Sequence, residues 1–122
     1  MTAHILTVDD SPSVRLTTNV ALTSAGYLVT EAVDGLDALN KAKTTDFDLI
    51  ITDLNMPNMD GLEMIETLRR SPDHAGVPII FLSTESDGQM KDRARAAGAT
   101  GWMTKPFNVE QLIKITRKVL GK

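Results

Sequence analysis

The sequence predicts an α/β domain of the doubly wound kind, a five-stranded parallel sheet with five helices packed on its two faces. Three observations lead there. Short apolar runs alternate five times with segments of helical period. The apolar runs are continuous, as in strands covered on both sides. Capping and turn residues punctuate the chain where each helix should start or stop. A repeated β-α unit builds a parallel sheet through right-handed crossovers.

The first strand is expected at Ile5 to Val8 and ends on Asp9 and Asp10. Ser11 can cap the next helix, with Pro12 in its first turn. Val14, Thr18, Ala21, Leu22 and Ala25 then share helical spacing, and Gly26 closes the helix. A second strand is expected at Tyr27 to Glu31, followed by a short helix capped by Asp34, carrying Leu36 and Leu39 and fading near Lys43. Leu49 to Asp53 is the third strand. Asp60 with Glu63 resembles a capping box, opening a helix with Leu62, Ile65 and Leu68 on one face. The fourth strand is Val77 to Ser83, with Pro78 kept to its start. Asp87 opens a helix through Met90, Ala94 and Ala97 that Gly98 stops. Thr100 to Thr104 is the fifth strand, and Asn108 with Gln111 begins a last helix carrying Val109, Leu112, Ile113, Thr116 and Leu120.

Composition narrows the function. A length of 122 residues suits one domain, residues 1–122, with a core of its own. Hydrophobic residues at 42% and charged residues at 24% are ordinary for a soluble globular protein. The net charge of −3 argues against direct nucleic-acid binding, which calls for a basic face. No cysteine is present, which excludes disulfides and thiolate metal sites and fits a reducing compartment. The opening "MTAHILTVDD" has no basic n-region, and no run approaches the roughly 18 apolar residues of a membrane span. A cytoplasmic, monomeric domain complete in itself is expected.

In parallel sheets of this kind the functional crevice lies at the C-terminal strand ends. Collected there are Asp9, Asp10, Asp53, Ser83 and Lys105. Singly, the aspartates and the serine read as caps or turn residues and the lysine as a solvated side chain. Together they are three carboxylates whose mutual repulsion should raise their pKa values, with one lysine to offset them. A hard divalent cation resolves that conflict, and an all-oxygen site with few protein ligands suits Mg²⁺. An anionic nucleophile, a Lewis acid, an ammonium and a hydroxyl are the parts of a phosphoryl-transfer site, and a carboxylate nucleophile gives an acyl phosphate. Asp53, at the end of an apolar strand, is thus expected to be phosphorylated.

The segments "VDD" at 8–10, "TDLNMPNMDG" at 52–61, "FLSTE" at 81–85 and "GWMTKPF" at 101–107 occur in register over the whole chain. Together they resemble the receiver domain of the bacterial response-regulator superfamily, closest to stand-alone chemotaxis regulators of the CheY type. The resemblance implies a flavodoxin-like sheet of order 2-1-3-4-5. It implies that Asp53 accepts a phosphoryl group from a histidine kinase. Asp10, Asp53 and the Asn55 carbonyl would ligate Mg²⁺, with Asp9 acting through water. Lys105 would pair with the phosphoryl group, the bond before Pro106 would be cis, and Ser83 would supply the hydroxyl that closes on the phosphate. Trp102 stands where relatives carry the aromatic whose rotamer follows activation, and Asn55 and Glu85 match positions that tune hydrolysis of the acyl phosphate.

The output surface implied is the last two helices with the fifth strand, including Lys91, Arg95, Trp102 and Thr104. Its partners would be a chemotaxis-type histidine kinase, a flagellar motor switch or another effector protein, and a phosphatase. The chain would be no enzyme toward other molecules; it would catalyse phosphotransfer to, and hydrolysis from, its own Asp53. The alternative within the same fold is a phosphate sink or binding module that drains a kinase without an effector of its own. Rivals outside it fail on particular residues. A calcium loop has Pro57 in a ligand position, a haloacid-dehalogenase phosphatase would need a second Asp where Asn55 stands, and neither nucleotide-binding glycine motif occurs.

Overall fold

The computed structural model describes residues 2–54, 59–72, 74, 76–83, 88–105 and 107–121. Strands and helices alternate: β1 (His4–Val8), α1 (Pro12–Ser24), β2 (Leu28–Ala32), α2 (Gly35–Ala42), β3 (Leu49–Asp53), α3 (Gly61–Arg70), β4 (Ile79–Ser83), α4 (Gly88–Ala97), β5 (Gly101–Thr104) and α5 (Val109–Leu120). The five strands form one sheet in the order β2-β1-β3-β4-β5, with every pairing parallel. Among the described residues no helix is long and apolar enough to cross a membrane.

Side chains alternate across the sheet, and the core divides accordingly. Leu6, Val8, Ile50, Ile79 and Phe81 face one cluster with Ala38 and Ala42 of α2, Met64, Ile65 and Leu68 of α3, and Ala94 of α4. Ile5, Leu49, Ile51, Ile80 and Leu82 face the other, with Ala21 and Leu22 of α1 and Leu112 of α5. Both faces of the inner strands are dry, which is why their sequences run apolar without a break.

Local chemistry sets the boundaries. Gly26, at φ 99°, lets α1 end in a Schellman closure: its amide donates to Thr23 O at 3.0 Å and the Tyr27 amide donates to Leu22 O at 3.1 Å. Tyr27 therefore belongs to the end of α1, and β2 begins one residue later than expected. Similarly β4 starts at Ile79, because Pro78 accepts from Ile50 N at 3.0 Å but has no amide to donate. The α5 capping box is complete, with Asn108 and Gln111 each accepting from the other's amide. At α3, Asp60 Oδ1 accepts from Glu63 N at 2.9 Å, as expected of its cap. The expected cap at Asp87 lies outside the described residues.

Two apolar positions differ from expectation. Helix α2 buries Gly35, Ala38 and Ala42, whose small side chains allow close packing, and this turns Leu36 outward at 47% exposure. Val109, in the first turn of α5, is likewise exposed, and that helix meets the sheet only from Leu112 onward.

Candidate functional site

The period-two alternation of the strands delivers the key side chains. Asp53 continues the face of Leu49 and Ile51, Asp9 continues that of Ile5, and Lys105 continues that of Met103. All three therefore emerge at the C-terminal edge on the side of α1 and α5. Asp9 and Asp53 are buried, at 4% and 8% exposure, while Asp10 is exposed. One carboxylate oxygen from each of Asp9, Asp10 and Asp53 lies within 4.8 Å of the others.

Lys105 Nζ stands 2.9 Å from Asp9 Oδ2 and 3.5 Å from Asp53 Oδ1. The Leu54 amide donates to Asp53 Oδ1 at 2.8 Å, and the Ser11 amide donates to Asp9 Oδ1 at 2.9 Å. The Asp9 amide donates to Ala32 O at 3.1 Å, which stitches the end of β1 to β2. Ser83, fully buried, ends β4, and its carbonyl accepts from Lys105 N at 2.7 Å. That bond aligns the segment after β5 with the rim, so the lysine leaves the sheet beside the carboxylates.

The Asp53 carboxyl is held above its ordinary pKa of 3.8, first by burial and secondarily by the Asp9 charge. Lys105 opposes the rise by its charge and hydrogen bond, as does the Leu54 amide. The crowding expected from the sequence is thus present, but desolvation leads it. Three carboxylates beside one ammonium leave an uncompensated negative charge, and the donors are all oxygens. That set fits a hard divalent cation such as Mg²⁺, which Asp9, Asp10 and Asp53 could hold.

Trp102 is partly buried, its ring centroid 6.1 Å from that of Phe81, and it packs against the core cluster on the α3 and α4 side. Its Nε1 is buried with no hydrogen-bond partner among the described residues. Lys91, Ala94, Arg95, Thr100 and Gly101 line a small cleft with it. Asn55, Glu85 and Pro106, assigned from the resemblance to metal ligation, tuning and a cis bond, lie outside the described residues.

Two contributors escape a reading of the sequence. Arg15 on α1 reaches back to donate to Asp9 O at 2.6 Å. Gly61 opens α3 directly beneath the site, where a Cβ would meet Asp53 O at 2.7 Å and Phe81 Cε1 at 2.6 Å. A glycine immediately after a helix cap was the available signal for the second. Nothing in the local pattern singles out the first.

Comparison with known proteins agrees with this geometry. The chemotaxis response regulator CheY4 of Vibrio cholerae superposes with a TM-score of 0.95 at 44% identity, covering 98% of this chain and 100% of that one. The receiver domain of sensor histidine kinase PA1611 from Pseudomonas aeruginosa, solved with a magnesium ion coordinated in its active site cleft, superposes at 0.91 with 29% identity and full coverage of both chains. The DNA-binding dual master transcriptional regulator RpaA of Synechocystis is 35% identical over 119 residues, covering 98% of this chain and 49% of RpaA. The chain thus spans about half the length of that relative. Residues 5–117 match the response regulator receiver domain, and the chain belongs to that family.

Proposed function

We propose that this chain is a response regulator that takes a phosphoryl group from a histidine kinase onto Asp53 in the presence of Mg²⁺ and signals by protein binding. The observation that carries the reading is Lys105 Nζ within 3.5 Å of Asp53 Oδ1, in a site where the Asp9 and Asp10 carboxylates also converge. The Leu54 amide and Lys105 both engage Asp53 Oδ1, which supports Oδ2 as the attacking oxygen. The N–P bond of the phosphohistidine breaks as the O–P bond forms, and the electron pair stays on the imidazole. Asp9, Asp10 and Asp53, together with the Asn55 carbonyl that the family resemblance implies, would hold Mg²⁺, which would supply charge neutralisation for a phosphoryl group. Lys105 moves from Asp9 to the new dianion, and Ser83 donates its hydroxyl to it. The resulting shift at the end of β4 biases α4, β5 and the cleft beside Trp102 toward the partner-binding state.

The full-length match to CheY4 supports chemotaxis or flagellar motor control as the setting, with a chemotaxis kinase upstream and a motor-switch protein downstream in the cytoplasm. Intact-mass measurement with acetyl phosphate and Mg²⁺ tests the acceptor. The wild-type protein gains one phosphoryl group and Asp53→Asn gains none. Labelling of Asp53→Asn at the wild-type level would overturn the assignment. Binding of the labelled protein to a motor-switch peptide separates a signalling regulator from a phosphate sink, which would drain its kinase and bind no effector.

A further inference from the structure

We propose that Arg15 is a positioning residue for the divalent cation, orienting Asp10 through the Asp9–Asp10 peptide; the inference rests on the Mg²⁺-dependent reading of this site. Arg15 is held at two points. Its Nη1 donates to Asp9 O at 2.6 Å, and its Nε pairs with Glu31 Oε1 at 3.4 Å, with the side chain 16% exposed. Glu31 is itself fixed. Its Oε2 accepts from Asn19 Nδ2 at 2.7 Å, its backbone carbonyl accepts from Lys41 Nζ, and Asn19 Oδ1 accepts from Thr23 Oγ1 at 2.9 Å. The line from α1 through β2 back to the end of β1 is therefore continuous.

The bond to Asp9 O matters because of where that oxygen sits. It belongs to the planar unit that joins Asp9 to Asp10. The Asp9 amide is anchored to Ala32 O at 3.1 Å, so fixing the carbonyl as well sets the torsion between them and the direction in which Asp10 leaves the strand. Asp9 has further restraints on its own carboxylate, from the Ser11 amide and Lys105. The Asp10 carboxylate takes no hydrogen bond from a described residue, although it lies within 4.8 Å of its two neighbours. Its place in the cluster comes through its backbone, and the backbone is held by Arg15.

Charge and positioning predict opposite signs. A guanidinium beside a cation site repels the cation, so if Arg15 acted by charge its removal would tighten binding. If it positions Asp10, removal weakens binding. Glu31 offsets the charge and leaves the geometric role.

Mg²⁺ titration calorimetry on the full chain, with urea unfolding in EDTA as the folding control, decides between them. Arg15→Ala should weaken Mg²⁺ binding about tenfold, as loss of an outer-sphere orienting group does. Arg15→Lys should recover part of the loss, since one ammonium can still reach Asp9 O. Glu31→Gln should weaken binding less than Arg15→Ala, because the amide oxygen still accepts from the guanidinium although the charge that offset it is gone. In an Asp10→Asn background, Arg15→Ala should cost much less, a non-additivity that a general loss of stability would not give. Should Arg15→Ala fail the folding control, Arg15→Gln carries the same comparison. A folded Arg15→Ala or Arg15→Gln protein that binds Mg²⁺ as tightly as the wild type, or more tightly, would overturn the proposal alone. A folded wild-type protein that binds no Mg²⁺ would overturn it together with the reading of the site.

Discussion

Lys105 Nζ stands 3.5 Å from Asp53 Oδ1, yet closer, at 2.9 Å, to Asp9 Oδ2. The ammonium is thus shared between two buried carboxylates, and it leaves one of them incompletely compensated. That residue is Asp53, whose carboxyl is raised above 3.8 chiefly by burial.

A raised pKa has a definite consequence for stability. Between the unfolded and folded pKa values the native state binds more protons than the unfolded one, so stability falls as pH rises through that window and then levels off. Asp53→Asn removes the buried charge. In EDTA it should be more stable to urea than the wild type at pH 7, and the gain should shrink as pH is lowered toward 3.8. Lys105→Met should move the Asp53 midpoint further up in a carboxyl-carbon NMR titration, because the lysine is the leading influence that opposes the burial. A midpoint that falls in Lys105→Met would contradict the charge arrangement.

Mg²⁺ should stabilise the fold by mass action. At a concentration a hundredfold above its Kd, a ligand that binds only the native state adds about 2.7 kcal/mol. The gain at the same Mg²⁺ concentration should be much smaller in Asp10→Asn, which keeps only two of the three carboxylates. Asp10 is exposed, so its replacement should leave the urea midpoint in EDTA almost unchanged. Unfolding curves with Mg²⁺, with EDTA, and with NaCl at matched ionic strength separate binding from screening. An Asp10→Asn protein that gains as much from Mg²⁺ as the wild type would remove Asp10 from the site.

How far the sequence reveals this arrangement follows from the range of each interaction. The apolar run Leu49–Asp53 is both the strand and its boundary, because a continuous buried strand leaves no choice of face. Asp9, Asp53 and Lys105 were legible for the same reason, since alternation fixes where a residue past the strand end emerges. The start of β2 was not, because Tyr27 looks like a strand residue while its amide closes α1. Leu36 misled because its apolarity suggests burial, whereas the small side chains of Gly35, Ala38 and Ala42 decide which face of α2 packs. Arg15 was invisible because its role depends on a hydrogen bond to a main-chain carbonyl, and carbonyls carry no sequence signal.

Gly61 is set by close approach. A Cβ there would lie 2.6 Å from Phe81 Cε1, 2.7 Å from Asp53 O and 3.1 Å from Leu54 Cα. Two of those neighbours are backbone and the third is a fully buried ring, so none can yield cheaply. Gly61→Ala should lose about 2 kcal/mol to urea and slow labelling by acetyl phosphate, since any relief displaces the Asp53 main chain. Gly76 has nothing within 4 Å of its hypothetical Cβ, and Gly76→Ala should change stability by less than about 0.5 kcal/mol. Equal effects at the two glycines would mean that packing against Asp53 is not what Gly61 serves.

Two buried threonines beside the site should respond to the same substitution with opposite signs. Thr7, in β1, is 2% exposed, and its Oγ1 is buried with no hydrogen-bond partner among the described residues. Thr52, in β3, is fully buried, and its Oγ1 donates to Asp53 O at 2.9 Å. Valine matches threonine in shape and in strand preference, so Thr→Val isolates the hydroxyl. An unsatisfied buried hydroxyl carries a desolvation cost with no compensating bond, and Thr7→Val should therefore gain about 1 kcal/mol. Thr52→Val removes a satisfied donor and should lose about 1 kcal/mol. It should also loosen the Asp53 carbonyl against which Gly61 packs, and that should appear as a shift of the Gly61 amide resonance which Thr7→Val does not produce. Urea midpoints for the two variants in EDTA give the comparison directly. If Thr7→Val destabilises as much as Thr52→Val, the Thr7 hydroxyl has a partner in solution, and the polar lining of the face shared with Asp9 and Asp53 extends deeper into the sheet.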